Sequence, residues 1–243
     1  MPIDQNTPFT SYNRSIKERG VSIMKDTLEL VFIIDQSGSM KGLEKDTIGG
    51  FNSILDKQKD KHGSDVIVST VLFSHRTDVI HNRITIEEIE PLDERQYVVG
   101  GTTALLDAVG GAIDHITRVH NLLGVKNTPN QTLFVITTDG QENASRYFKK
   151  EMIEHMIKQK QEEGWEFIFL GANIDAYNQA RSYGIRNDRV SNYMHDSEGV
   201  RNMYESLNEA VHDLRTAKMM KETWKRKVEA DYLHRGKYVS KNK

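Results

Sequence analysis

Leu28 to Ile34, Val66 to Phe73, Leu133 to Thr138 and Trp165 to Leu170 are near-continuous apolar runs rich in β-branched and aromatic residues. That is the pattern of strands buried on both faces of a parallel sheet. Between and after them, apolar residues recur at helical spacing: Leu43, Ile48, Phe51, Ile54 and Leu55; Leu105, Val109, Ala112, Ile113 and Ile116; Met152, Ile153, Met156 and Ile157; and Val200, Met203, Tyr204, Leu207, Val211 and Leu214. Thr77 to Ile86 reads as a strand returning in a hairpin around His75 and Arg76, and Val190 to Tyr193 as a short last strand. The alternation predicts an α/β fold of Rossmann-like type. Its central sheet is mostly parallel, with one antiparallel edge strand and helices on both faces. Gly49 and Gly50 inside the first helix weaken it relative to alanine, which a close helix-on-sheet contact would offset.

Chemistry gathers where the strands end. The first apolar run stops at Asp35, and Ser37 and Ser39 follow at alternate positions, with Gly38 allowing a tight turn. In an extended or loosely turned loop every second side chain points the same way, so one carboxylate and two hydroxyls can face one point. Such hard oxygen donors suit magnesium or manganese rather than zinc or copper, although Asp, Ser and Gly are also the ordinary residues of a polar turn. Two further pieces occupy matching places. Gly100 and Gly101 precede Thr102 and Thr103 at the mouth of a helix, and the run Leu133 to Thr138 ends in Asp139 and Gly140. In open α/β sheets the carboxyl ends of the strands form the edge where ligands bind.

These three pieces, D-x-S-x-S, G-G-T and T-D-G, resemble the metal-ion-dependent adhesion site of a von Willebrand factor type A (vWA) domain, over residues 27–214. The intracellular bacterial members, such as those of tellurite-resistance systems, are the kind it is most similar to. The resemblance implies a vWA fold, a Mg2+ or Mn2+ ion, hydroxyl ligands from Ser37, Ser39 and Thr102, and Asp35 and Asp139 acting directly or through water. It favours Thr102 because that residue directly follows the glycine pair, leaving Thr103 to cap the helix. It also implies a binding module rather than an enzyme. The partner would be a protein offering a Glu or Asp carboxylate to the metal, in the setting of a ring ATPase, a chelatase or a stress-resistance system.

Composition narrows the setting. The 243 residues carry a net charge of −2 and no cysteine, so neither nucleic acid nor a thiolate metal site is indicated. No apolar run approaches the roughly 18 residues that span a bilayer, and the first residues lack a secretory signal, so a cytoplasmic location is expected. Residues 1–26 are polar and aperiodic and read as a flexible arm. Residues 215–243 read as a basic helical extension, a solvated tail with a hydrophobic anchor at Trp224 between Met220 and Val228. The loop after the fifth strand offers Asn173 and Asp175, either as partner contacts or, for Asp175, as a helix cap.

Other chemistries find less support. The nine histidines show no H-E-x-x-H spacing, and there is no glycine-rich loop with a following lysine and no G-x-S-x-G. A magnesium-dependent phosphohydrolase or phosphotransferase with Asp35 as nucleophile is the alternative from another class. Against it, position 37 is serine rather than an acid, and no lysine or arginine sits in the three loops. Partner binding through the tails without metal is a third reading.

Overall fold

The computed structural model describes residues 26–59 and 63–239, so the expected arm at residues 1–26 lies, but for Asp26, outside the described residues. Alternation along β1 (Thr27–Asp35) divides its side chains between two cores. Leu28, Leu30, Phe32 and Ile34 project into one, and Val31 and Ile33 into the other. The same division holds in β4 (Gln131–Thr138) and β5 (Glu166–Gly171). There Leu133, Val135, Ile168 and Leu170 join the first core, and Phe134, Ile136, Phe167 and Phe169 the second. With β2 (Asp65–Phe73), β3 (Thr77–Thr85) and β6 (Val190–Asn192), these strands form one six-stranded sheet in the order β3-β2-β1-β4-β5-β6. All pairings are parallel except β2 with β3, the expected antiparallel edge hairpin.

Helices cover both faces, as the burial pattern of the strands requires. α1 (Glu44–Lys59), α5 (Ser197–Ala217) and α6 (Arg226–Val239) pack over the first core. The other face carries α2 (Leu105–Leu123), α3 (Lys150–Glu162) and α4 (Ala176–Ser182). From β1 the chain winds outward through β2 and then restarts at β4 on the other side. The crevice at the carboxyl ends of β1 and β4 is therefore the topological switch point of the sheet, where such folds place ligands. Among the described residues no helix is long and apolar enough to cross a membrane.

Two details differ from the sequence expectation. The compensation for glycine in α1 is a helix–helix contact, not a helix–sheet one. A Cβ on Gly50 would overlap the ring of Tyr204 from α5, whereas one on Gly49 would meet nothing within 4 Å. The residues after α5 do not form a solvated tail with a single anchor. Met220, Trp224 and Val228 are all buried in the first core, and the Trp224 indole N–H donates to the Asp188 carbonyl at 3.1 Å. The basic residues lie around this apolar seam. Lys225 Nζ donates to the Val190 carbonyl at 2.8 Å, and Arg235 pairs with Asp231 at 2.6 Å and Asp196 at 2.5 Å.

Away from the carboxyl edge, Glu29 of β1 is fully buried. Arg83 Nε lies 2.6 Å and His120 Nε2 2.8 Å from its carboxylate. Burial raises its pKa, but the His120 contact and the charge and hydrogen bonds of Arg83 together outweigh burial and leave it below the ordinary 4.5.

Two outcomes follow from these contacts. Gly49→Ala is expected to stabilise the protein by about 0.5–1 kcal/mol and Gly50→Ala to destabilise it by about 1–3 kcal/mol, read from urea unfolding. Because the folded-state pKa of Glu29 is depressed, its stabilisation is present above the unfolded-state value and lost as pH falls through the folded-state value. Unfolding followed below pH 4.5 is therefore expected to show a loss that Glu29→Gln, already less stable at neutral pH, no longer shows.

Candidate metal centre

Three loops meet at the switch point, and backbone hydrogen bonds set their spacing. The loop after β1 is tied to the glycine pair by Gly38 N–H donating to the Gly101 carbonyl at 3.1 Å and Gly100 N–H donating to the Gln36 carbonyl at 2.8 Å. The buried Tyr97 hydroxyl donates to the Asp35 carbonyl at 2.6 Å, anchoring the same junction from below. Gly101 holds φ +80°, and a Cβ there would collide with His75, so both conformation and space demand glycine. The loop after β4 is fastened to α2. Thr103 N–H donates to Asn143 Oδ1 at 2.9 Å, and Asn143 N–H returns a bond to the Thr103 carbonyl at 3.0 Å. Glu142 accepts from the N–H groups of Leu106, Ala144 and Ser145 at 2.9, 2.9 and 2.7 Å.

Within this frame Asp35, Ser37, Ser39 and Asp139 form a continuous polar chain. Asp35 is fully buried; its Oδ1 accepts from Ser37 N–H at 2.7 Å and its Oδ2 from the Thr138 hydroxyl at 2.6 Å. The Ser37 and Ser39 hydroxyls lie 3.0 Å apart, and Ser39 donates to Asp139 Oδ1 at 2.5 Å. Ser39 is exposed while Ser37 and Asp139 are buried, so the cluster opens to solvent on one side. Burial pushes the Asp35 carboxyl above its usual range, the bonds from Ser37 and Thr138 oppose that, and the charge of Asp139 adds to it.

Thr102 and Thr103 require a correction. Thr102 is exposed, whereas Thr103 is buried, with its hydroxyl 3.0 Å from the position a Cβ on Gly140 would take; Ser39 Oγ is 3.4 Å from that same position. The left-handed Gly101 turns the chain so that the second threonine, not the first, joins the cluster. Nor does Thr103 cap α2. Ala104 is its N-cap, without a side-chain bond, and Glu142 and Ser145 supply the acceptors from the neighbouring loop. Asp175 caps α4 by accepting from Asn178 N–H at 3.0 Å.

Two participants lie outside the expected ligand set, and the second of them, His195, carries no signal in the sequence. Thr138, the last residue of β4, reads as a strand residue, yet its hydroxyl is a partner of Asp35. His195, in the segment between β6 and α5, places Nε2 2.8 Å from Asp139 Oδ2. The two atoms are buried and close but not aligned as a hydrogen bond, and neither has another partner. The Asp139 carboxylate holds the His195 imidazole above its ordinary pKa, with burial opposing.

The donor set fits a divalent cation. Among the described residues no three His, Cys, Asp or Glu side chains converge as a metal cluster, so an ion here would depend on hydroxyls as well as carboxylates. Asp139 Oδ2 is buried and accepts no aligned hydrogen bond, its near neighbour being His195 Nε2 at 2.8 Å, and a cation there would satisfy it.

The architecture has known counterparts. Proximal thread matrix protein 1 from the mussel byssus, solved with a zinc-occupied MIDAS motif, is similar with a TM-score of 0.53 at 15% identity, over 77% of this chain and 46% of that one. The vWF domain of the type V pili tip protein Mfa5 from Porphyromonas gingivalis matches with a TM-score of 0.54 at 10% identity, over 76% of this chain and 96% of that one. A von Willebrand factor type A structure from Catenulispora acidiphila gives 0.50 at 13%, over 76% and 42%. The fold is that of a vWA domain. The chain spans less than half the length of the mussel structures it matches. No family model matches the sequence, and no curated protein matches it significantly.

Since Glu142 supplies acceptors to α2 and to its own loop, Glu142→Ala is expected to lower stability by about 1–3 kcal/mol in urea unfolding.

Proposed function

We propose that this vWA domain is a metal-dependent protein-binding module. Mg2+ or Mn2+ is held by the hydroxyls of Ser37, Ser39 and Thr103, with Asp35 and Asp139 bound directly or through water, and the ion takes an Asp or Glu carboxylate of a partner protein. Thr103 replaces Thr102 in this reading because its hydroxyl faces the cluster. One observation carries the proposal: two buried carboxylates joined through serine hydroxyls at the switch point, with one carboxylate oxygen accepting no aligned hydrogen bond and the cluster open at Ser39. The ion supplies positive charge and an electrophilic position. Two carboxylates balance a dication, while neutral hydroxyls leave it attractive to one more anionic oxygen. The zinc-occupied MIDAS motif of the mussel protein supports the choice of site and leaves the metal used by this chain to measurement.

The surroundings of Asp35 disfavour the phosphohydrolase reading. Both of its oxygens are engaged by Ser37 and Thr138 and it is fully buried, a poor position for a nucleophile. In this reading the partner is a ring ATPase or stress-resistance component of the cytoplasm, the setting that the resemblance implies.

An ion that binds only the native state stabilises it by about 2.7 kcal/mol at a hundredfold excess over its Kd. Mg2+ or Mn2+ is therefore expected to raise the melting temperature of the wild type and of Thr102→Ala, and not of Ser39→Ala or Thr103→Ala. Equal melting of the wild type with metal and with chelator would count against the module, and capture of a partner equally well under both would favour binding through the tails.

A further inference from the structure

The segment that carries His195 is held from three sides. Asp196 caps α5 by accepting from Gly199 N–H at 2.8 Å, and Arg235 of α6 grips the other oxygen of the same carboxylate at 2.5 Å. Tyr193 N–H donates to the Gly171 carbonyl at 3.0 Å and ties the incoming chain to β5. His195 thus reaches across the carboxyl edge from a fixed base. Its imidazole meets the Asp139 carboxylate and also the backbone carbonyl of Ser39.

As a simple charge pair the contact is poorly made. Two buried polar atoms face each other 2.8 Å apart without hydrogen-bond alignment, and each is left without another partner. A cation that accepts a lone pair from each resolves both deficits. The polar atoms follow one another closely from the serines to the imidazole. Ser37 Oγ to Ser39 Oγ is 3.0 Å, Ser39 Oγ to Asp139 Oδ1 is 2.5 Å, and Asp139 Oδ2 to His195 Nε2 is 2.8 Å.

We propose that His195 donates a ring nitrogen to the centre formed by Ser37, Ser39, Thr103 and Asp139, so that the site prefers Mn2+ or Zn2+ to Mg2+. The proposal rests on the metal-dependent reading above and goes beyond it in naming a nitrogen ligand and the metal preference that follows. All-oxygen sites suit magnesium, and an added imidazole shifts the balance toward softer divalent ions.

Pulsed EPR of Mn2+ bound to the full chain labelled with 15N-histidine tests the ligand directly. The expected result is coupling to one nitrogen in the wild type that is lost in His195→Ala. Calorimetry is expected to show that His195→Ala weakens Mn2+ and Zn2+ roughly 10- to 100-fold and leaves Mg2+ nearly unchanged; His195→Asn serves if the alanine variant does not fold. Bound Mn2+ without nitrogen coupling would overturn the assignment. So would an equal loss of all three ions, since His195 would then only hold Asp139 in place. If the wild type binds none of the ions and Ser39→Ala behaves identically, the metal-dependent reading itself fails and this assignment with it. Normal Mn2+ binding lost in Ser39→Ala but untouched in His195→Ala removes the assignment alone.

Discussion

Two carboxylates are withdrawn from water at the carboxyl edge, and among the described residues no lysine or arginine pairs with either. Asp35 is fully buried and Asp139 nearly so, and among the described residues the basic side chain that meets them is His195, at Asp139. Burying charge without compensation is among the more expensive things a fold can do. The surrounding structure spends its hydrogen-bond donors on the problem: Ser37 N–H, the Thr138 hydroxyl and the Ser39 hydroxyl all point at these oxygens. They do not cancel the effect, and the Asp35 carboxyl stays above its usual range. Such a site suits the divalent ion proposed above.

The opposite treatment of Glu29, on the same strand, makes the contrast. It too is fully buried, but a guanidinium and an imidazole meet it, and its carboxyl lies below its usual range. Six residues apart, β1 thus carries one carboxylate whose charge the protein neutralises internally and one whose charge it leaves for something else. Such a difference in environment, rather than in residue type, separates a structural acid from a candidate binding acid.

Distance along the chain is bridged by short loops braced against one another. The glycine pair sits where it does because the Gly101 carbonyl accepts from Gly38 N–H and Gly100 N–H donates to the Gln36 carbonyl, and the loop after β4 is fixed because α2 needs acceptors for its first N–H groups. α6 contributes at longer range. Through Arg235 it grips Asp196, whose neighbour His195 reaches Asp139, so a helix beyond α5 bears on the geometry of the edge.

The sequence by itself determined the sheet and its edge. Short β-branched runs that stop at turn residues read as strands buried on both faces, and carboxylates placed where such runs stop arrive at the same edge of a parallel sheet. Hence Asp35, Ser37, Ser39 and Asp139 were legible as neighbours. The tertiary structure alone decided the rest, because those features depend on contacts between residues distant in the chain. Which of two adjacent threonines faces inward was set by the left-handed turn at Gly101, and the partner of Gly50 by the approach of α5. The burial of Trp224 and Val228 depended on an open seam on the first core, and the arrival of His195 on the path of the chain between β6 and α5. Periodicity reports which face of an element is buried. It carries no information about what comes to cover it.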